Sequence, residues 1–205
     1  MSRFRMPPLG WVPLLLLILA LLGGFSALRS QRALAAKVIR LHVLAASDSA
    51  EDQARKLRVR DAVLEEANGV LRSCENRAEA EARLRSALPR LCETAEGVLL
   101  AENCADRVTA TLETESFSTR RYGDFALPAG DYLSLRVSIG EGKGRNWWCV
   151  VFPPLCSATT VSDISAAALS AGLSEADVAL ITEQEGYVLK FKTLEWLAAL
   201  REKLR

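Results

Sequence analysis

The side chains in this sequence best suited to covalent chemistry are one cysteine and one histidine. Cys149 lies in the apolar run 147–152 and His42 in the run 38–45, both of which read as strands. A thiol beside an imidazole is the pairing that generates a thiolate nucleophile. Nothing in the sequence brings the two together, and no nucleophile elbow or helix start follows Cys149. Metal chemistry has less support, because His42 is the single histidine and the five cysteines show no CxxC spacing. The segment Gly140–Asn146 (GEGKGRN) has the composition of a phosphate loop but not its GxxxxGK[ST] spacing. It joins two predicted strands, so no helix N-terminus is available to hold an anion, and a β-hairpin turn is expected instead. No cofactor and no small-molecule substrate is implied.

Recognition chemistry is better represented. Arginine and aromatic side chains carry most of the energy of desolvated interfaces, and Arg120, Arg121, Tyr122, Phe125, Trp147 and Trp148 cluster near predicted loops and strand ends. Adjacent residues of a strand point to opposite faces, so Trp147 and Trp148 cannot share one core unless both faces of that strand are covered. One is expected to bury and the other to meet a second layer or a partner. A second candidate contact surface is formed by Arg40, His42, Asp48, Ser49 and Arg60, polar residues that could equally cap and brace the fold.

Several elements must position these residues. Residues 38–45 are almost wholly apolar, as in a strand covered on both faces and central in its sheet. Ser49 followed by Asp52 is helix-start chemistry and predicts a helix from Ala50 to Leu71. Its apolar stripe comprises Leu57, Leu64 and Leu71, widened by Val59, Val63, Ala67 and Val70, and Arg58 and Asp61 are placed to pair on the opposite side. A second helical region at 77–103 should be kinked or split by Pro89. From Arg107 the period changes to two, giving strands around Val108–Leu112 and Leu133–Ile139. The stretch 119–131 between them reads as a loop, and Pro153–Pro154 ends the strand that starts at Trp147. Residues 157–186, rich in serine and alanine, read as a variable insertion with short helices near Ser162 and Ser174. Tyr187, Leu189 and Phe191 suggest a further strand, and 193–205 an amphipathic helix. The expected fold class is therefore α+β: a single compact domain with an antiparallel or mixed sheet of four or five strands and helices mainly on one face.

Composition narrows the function. The net charge is +1, but Arg3, Arg5, Arg29 and Arg32 lie in an acid-free leader, and the remainder is slightly acidic. No basic face for nucleic acid follows from that balance. The uncharged run from Met6 to Leu28 after Arg3 and Arg5 reads as an export signal, and it is also long enough to cross a bilayer of about 30 Å. Ala33-Leu34-Ala35 offers a small-x-small cleavage site, whereas Arg29, Arg32, Lys37 and Arg40 put more positive charge after the run than before it. Cleaved signal and membrane anchor both stand. The expected organisation is residues 1–35 as leader or anchor, 36–156 as core, 157–186 as insertion, and 187–205 as a C-terminal strand and helix packed on the core.

Three strings carry a more specific signal: IRLHVLAASDSAEDQARKLRVRDAVL at 39–64, GDFALPAGDYLSLRVSIGEGKG at 123–144, and GEGKGRNWWCVVFPPLC at 140–156. In these the chain resembles the stage II sporulation protein R family over roughly Lys37 to Cys156, with a looser KFKTLEWL near the end. It departs at Ala46, where members usually carry asparagine in an ANSDS string. The resemblance implies a non-catalytic protein made in the forespore and exported to the space between forespore and mother cell. There it would activate a mother-cell membrane aspartic-type protease that processes the sigma-E precursor. Cys149 and Cys156 belong to the recognised block and are the first candidates for a disulfide; five buried, unpaired cysteines is the alternative. A competing function is an exported Cys-His hydrolase acting on cell wall or a protein partner, and a third is a passive membrane-tethered structural protein.

Overall fold

The computed structural model describes residues 11–158 and 160–182. The strand and helix expected at 187–205 lie outside the described residues. The described chain runs α1 (Trp11–Ala35), β1 (Ile39–Leu44), α2 (Ala50–Leu71), α3 (Arg77–Leu100), β2 (Val108–Phe117), β3 (Arg120–Tyr122), β4 (Phe125–Leu127), β5 (Gly130–Ile139), β6 (Asn146–Phe152), a single 3-10 turn (Leu155–Ser157), α4 (Val161–Ser170) and α5 (Glu175–Thr182). Strands β2, β5, β1 and β6 lie side by side in that order as one sheet, and β3 and β4 form a separate hairpin. The fold is α+β with a mixed sheet, because β1 is parallel to β5 and antiparallel to β6.

Every residue of β1 is buried, as expected of a strand flanked by neighbours and covered above and below. One sheet face packs on α2 and α3. Leu41 and Val43 of β1, Leu135 and Val137 of β5, and Cys149 and Val151 of β6 meet Val59, Val63, Leu84, Leu91 and Leu99 there. The opposite face carries a second core, in which Phe117, Tyr132 and Val150 are covered by Leu127 of the hairpin, by Ile164 and Ala168 of α4, by Val178 and Ile181 of α5, and by Leu34 and Ala35 at the end of α1.

α2 begins where its start signal lies: the Ser49 hydroxyl accepts from the backbone N–H of Asp52 at 3.1 Å. The core register of its stripe differs from the leucine repeat. Leu57 is exposed, and the neighbouring Lys56 is buried instead, its apolar stem inside and its ammonium donating to the Arg145 carbonyl at 2.9 Å. Arg58 pairs with Glu102 and Arg60 with Asp61, in place of the expected Arg58–Asp61 pair. α3 is not split at Pro89. That residue is on the exposed side of the helix, where water can satisfy the carbonyl it leaves without a partner.

Two further expectations are corrected by topology. The expected loop at 119–131 contains the β3–β4 hairpin, turning at Gly123, whose φ of 56° is in the left-handed region. Gly140–Asn146 is not a hairpin turn, because its two strands are separated by β1; the segment crosses over the end of β1 to reach the far edge. That path brings it against the β1–α2 loop. A side chain at Gly144 would put its Cβ 2.2 Å from the carbonyl oxygen of Ser47, so only glycine fits. The Gly144 N–H donates to the Ala45 carbonyl at 2.9 Å and the Arg145 N–H to Asp48 at 2.7 Å.

Residues 160–182 pack on the sheet as the two short helices α4 and α5. Thr160 and Asp163 form a capping box at the start of α4, and Ile164, Ala168, Leu173, Val178 and Ile181 are buried. Asp177 accepts from Ser174 and pairs with Lys37 at 2.6 Å, tying α5 to the segment between α1 and β1. Burial alone would raise the Asp177 carboxyl, but the hydrogen bond from Lys37 holds it below the usual aspartate range. α1 is long and apolar enough to cross a membrane, and its last turn belongs to the folded domain.

Candidate recognition surface

Adjacent positions of β6 place Trp147 and Trp148 on opposite faces of the sheet, and each is half-buried. Trp147 packs on the α2 side with the Arg60 guanidinium 4.8 Å from its ring centre. Trp148 faces the hairpin side with Arg120 at 3.9 Å. Each tryptophan thus keeps one part in a core and presents the rest under an arginine.

Behind Trp148 lies a polar line that starts in β1. His42 stacks on Trp148 with ring centres 5.6 Å apart. Its Nδ1 is 3.0 Å from a Glu115 carboxylate oxygen and its Nε2 is 2.9 Å from the Asn146 side-chain oxygen. Arg136 reaches the same carboxylate at 3.2 Å. Burial pushes Glu115 up, yet the hydrogen bond with His42, the Ser134 hydroxyl and the nearby Arg136 guanidinium hold it below the ordinary glutamate range. Two residues along β1, Arg40 is fully buried, with its guanidinium 4.0 Å from the ring centre of Phe117, 5.2 Å from Tyr132 and 5.8 Å from Tyr122. It donates to the Tyr122 hydroxyl. Burial lowers the Arg40 pKa and raises those of Tyr122 and Tyr132, each change disfavouring a charge out of water.

The candidate contact residues therefore separate, and Phe125 is buried in the second core. Arg60, Arg120, Tyr122, Trp147 and Trp148 gather around β6 and the neighbouring hairpin, and Arg121 is exposed beside them. Arg40 and His42 are buried supports of that region and present no free surface. Asp48 and Ser49 are exposed, but they hold the 140–145 segment and cap α2. Glu115, Asn146, Phe117 and Tyr132 complete the arrangement and carry no signal in the sequence read locally. Only the β1–β5–β2 pairing shows that Glu115 and Phe117, alternate residues of β2, face the same side as His42.

Cys149 and His42 cannot act together here. Cys149 sits opposite Leu41, in the α2–α3 core, whereas His42 sits opposite Trp148 on the other face. Cys149 is paired with Cys156, Cα atoms 6.3 Å apart, and the Cys156 sulfur also accepts the Val150 N–H at 3.2 Å. Beside this pair a groove of about 540 Å³ runs between Arg60 and Leu64 of α2 and Tyr122 and Asp124 of the hairpin turn.

These features define a class: a mixed-sheet α+β domain continuous with a membrane-length N-terminal helix. The comparison with known proteins narrows it. Residues 35–162 match the family described as stage II sporulation protein R. The chain is 31% identical over 186 residues to stage II sporulation protein R of Bacillus subtilis (strain 168), covering 80% of this chain and 81% of that protein. It belongs to the stage II sporulation protein R family, and a role in sporulation follows. No solved structure matches it.

Proposed function

We propose that this protein is an intercellular sporulation signal. It is made in the forespore, exported to the space between forespore and mother cell, and binds the extracytoplasmic part of a mother-cell membrane aspartic-type protease. Binding favours the protease's active arrangement and so promotes processing of the sigma-E precursor. A ligand shifts such an equilibrium only by its differential affinity for the two states, so no chemistry by the activator is required. The observation that carries the reading is family membership, matched over residues 35–162 and by a relative covering 80% of the chain. The membrane-length helix α1 and the clustered aromatics and arginines around β6 are consistent with it.

The test is reconstitution. The full chain is added to vesicles holding the protease and its precursor, with a turnover assay of the chain alone alongside. The expected result is precursor cleavage that rises with the amount of chain. Cleavage no faster than with protease alone overturns the activator reading. Hydrolysis of a wall or protein substrate by the purified chain would restore the hydrolase alternative.

A further inference from the structure

Among the described residues β6 is an edge strand, and part of that edge pairs with none of them. In an antiparallel pair the backbone groups of successive residues alternate between facing the partner strand and facing away. The Val150 N–H donates to the Cys156 sulfur and so faces away from β1. By the same alternation the N–H and C=O of Asn146 and Trp148 face away too. Cys156 meets the edge at Val150, and among the described residues no loop or turn backbone bonds to Asn146 or Trp148. The outward groups at Asn146 and Trp148 therefore present strand-pairing chemistry, which an extended backbone satisfies.

The surroundings specify the side chains of that backbone. A strand added here has residues pointing alternately to both sheet faces. On one face they meet Trp147 with Arg60, and on the other Trp148 with Arg120, so each face offers an aromatic plate under a cation. Arg60 is paired with Asp61, whereas Arg120 and the exposed Arg121 meet no carboxylate among the described residues. The groove alongside gives room for apolar side chains between α2 and the hairpin turn.

We infer that the open half of the β6 edge takes up an extended segment of the partner, with acidic side chains set against Arg120 and Arg121. This rests on the activator reading and names its docking mode. The partner supplies a strand, and Trp147 and Trp148 grip it from the two faces.

Amide hydrogen exchange tests it, with the full chain in vesicles, with and without the protease vesicles, while precursor cleavage is followed in the same samples. The expected result is at least roughly tenfold slower exchange of the Trp148 amide when protease is present. Arg120→Glu with Arg121→Glu should weaken activation roughly tenfold and flatten its salt dependence, with circular dichroism unchanged. Activated cleavage with no change at Trp148 overturns the docking mode and leaves the activator reading standing; failure of activation removes both. A Trp148 amide protected in the chain alone, and released on deleting residues 183–205, would show that the chain's own C-terminus occupies the edge. Protection that grows with chain concentration would show a second copy there. Either outcome also overturns the inference.

Discussion

Arg40 is a cation out of water, held by the Tyr122 hydroxyl and the Phe117 ring, and among the described residues no carboxylate pairs with it. Replacing a buried charge by an apolar side chain of similar length is often neutral or stabilising, while leaving a cavity is not. Arg40→Met should therefore keep the folding free energy within about 1 kcal/mol, whereas Arg40→Ala should cost about 3 kcal/mol, both read by urea denaturation. Glu115 supplies a pH dependence. Its carboxyl is held below the ordinary value of 4.5, so it contributes stability that is present above that value and is lost as pH falls through the lower folded one. Denaturation from about pH 6 to about pH 3 should show this acid limb in the native protein and a shallower one in Glu115→Gln. Little of this was legible beforehand. Polar Arg40 and His42 stand out in an apolar strand, but Phe117, Glu115 and Tyr132 reach them from strands distant in sequence.

Among the elements, the 140–145 crossover and the cysteine pair fix β6 at its two ends. Gly144→Ala would drive a methyl group into the Ser47 backbone, and backbone cannot swing aside as a side-chain tip can. That substitution should destabilise by about 2 kcal/mol or more and raise protease sensitivity around Gly140–Arg145. Replacing Cys149 and Cys156 together by alanine should cost about 2 kcal/mol of the kind a short closed loop contributes, seen as a lower urea midpoint than that of the unreduced protein. Precursor cleavage should persist in that variant at permissive temperature, which thiol catalysis forbids. Period-two patterning identified β2 and β5, near-continuous apolar runs β1 and β6, and the Ser49 cap α2, because those signals are local. Strand order is not local: nothing within GEGKGRN reports that β1 has been inserted between its two flanking strands. The short helix near Ser162 was legible as α4, but Ser/Ala-rich composition hid its packing, because its inward residues are only Ile164 and Ala168.

For the molecule as a whole, the boundary between leader and domain is not where composition places it. Gln31, Leu34 and Ala35 of α1 are buried, and Gly130 leaves the space that the Gln31 side chain fills. A chain starting at Lys37 should be about 3 kcal/mol less stable than one starting at Arg29, measured on both as soluble proteins. The order of the strands has one more effect. β1 is the first described strand to be made, yet both its neighbours, Gly130–Ile139 and Asn146–Phe152, are the last two described. A polypeptide threaded through a secretion channel must stay loose until it is across, and long-range pairing of this kind is slow to close. This wiring postpones completion of the sheet until residue 152 has been made, so closure of the domain comes late whichever side of a membrane it folds on.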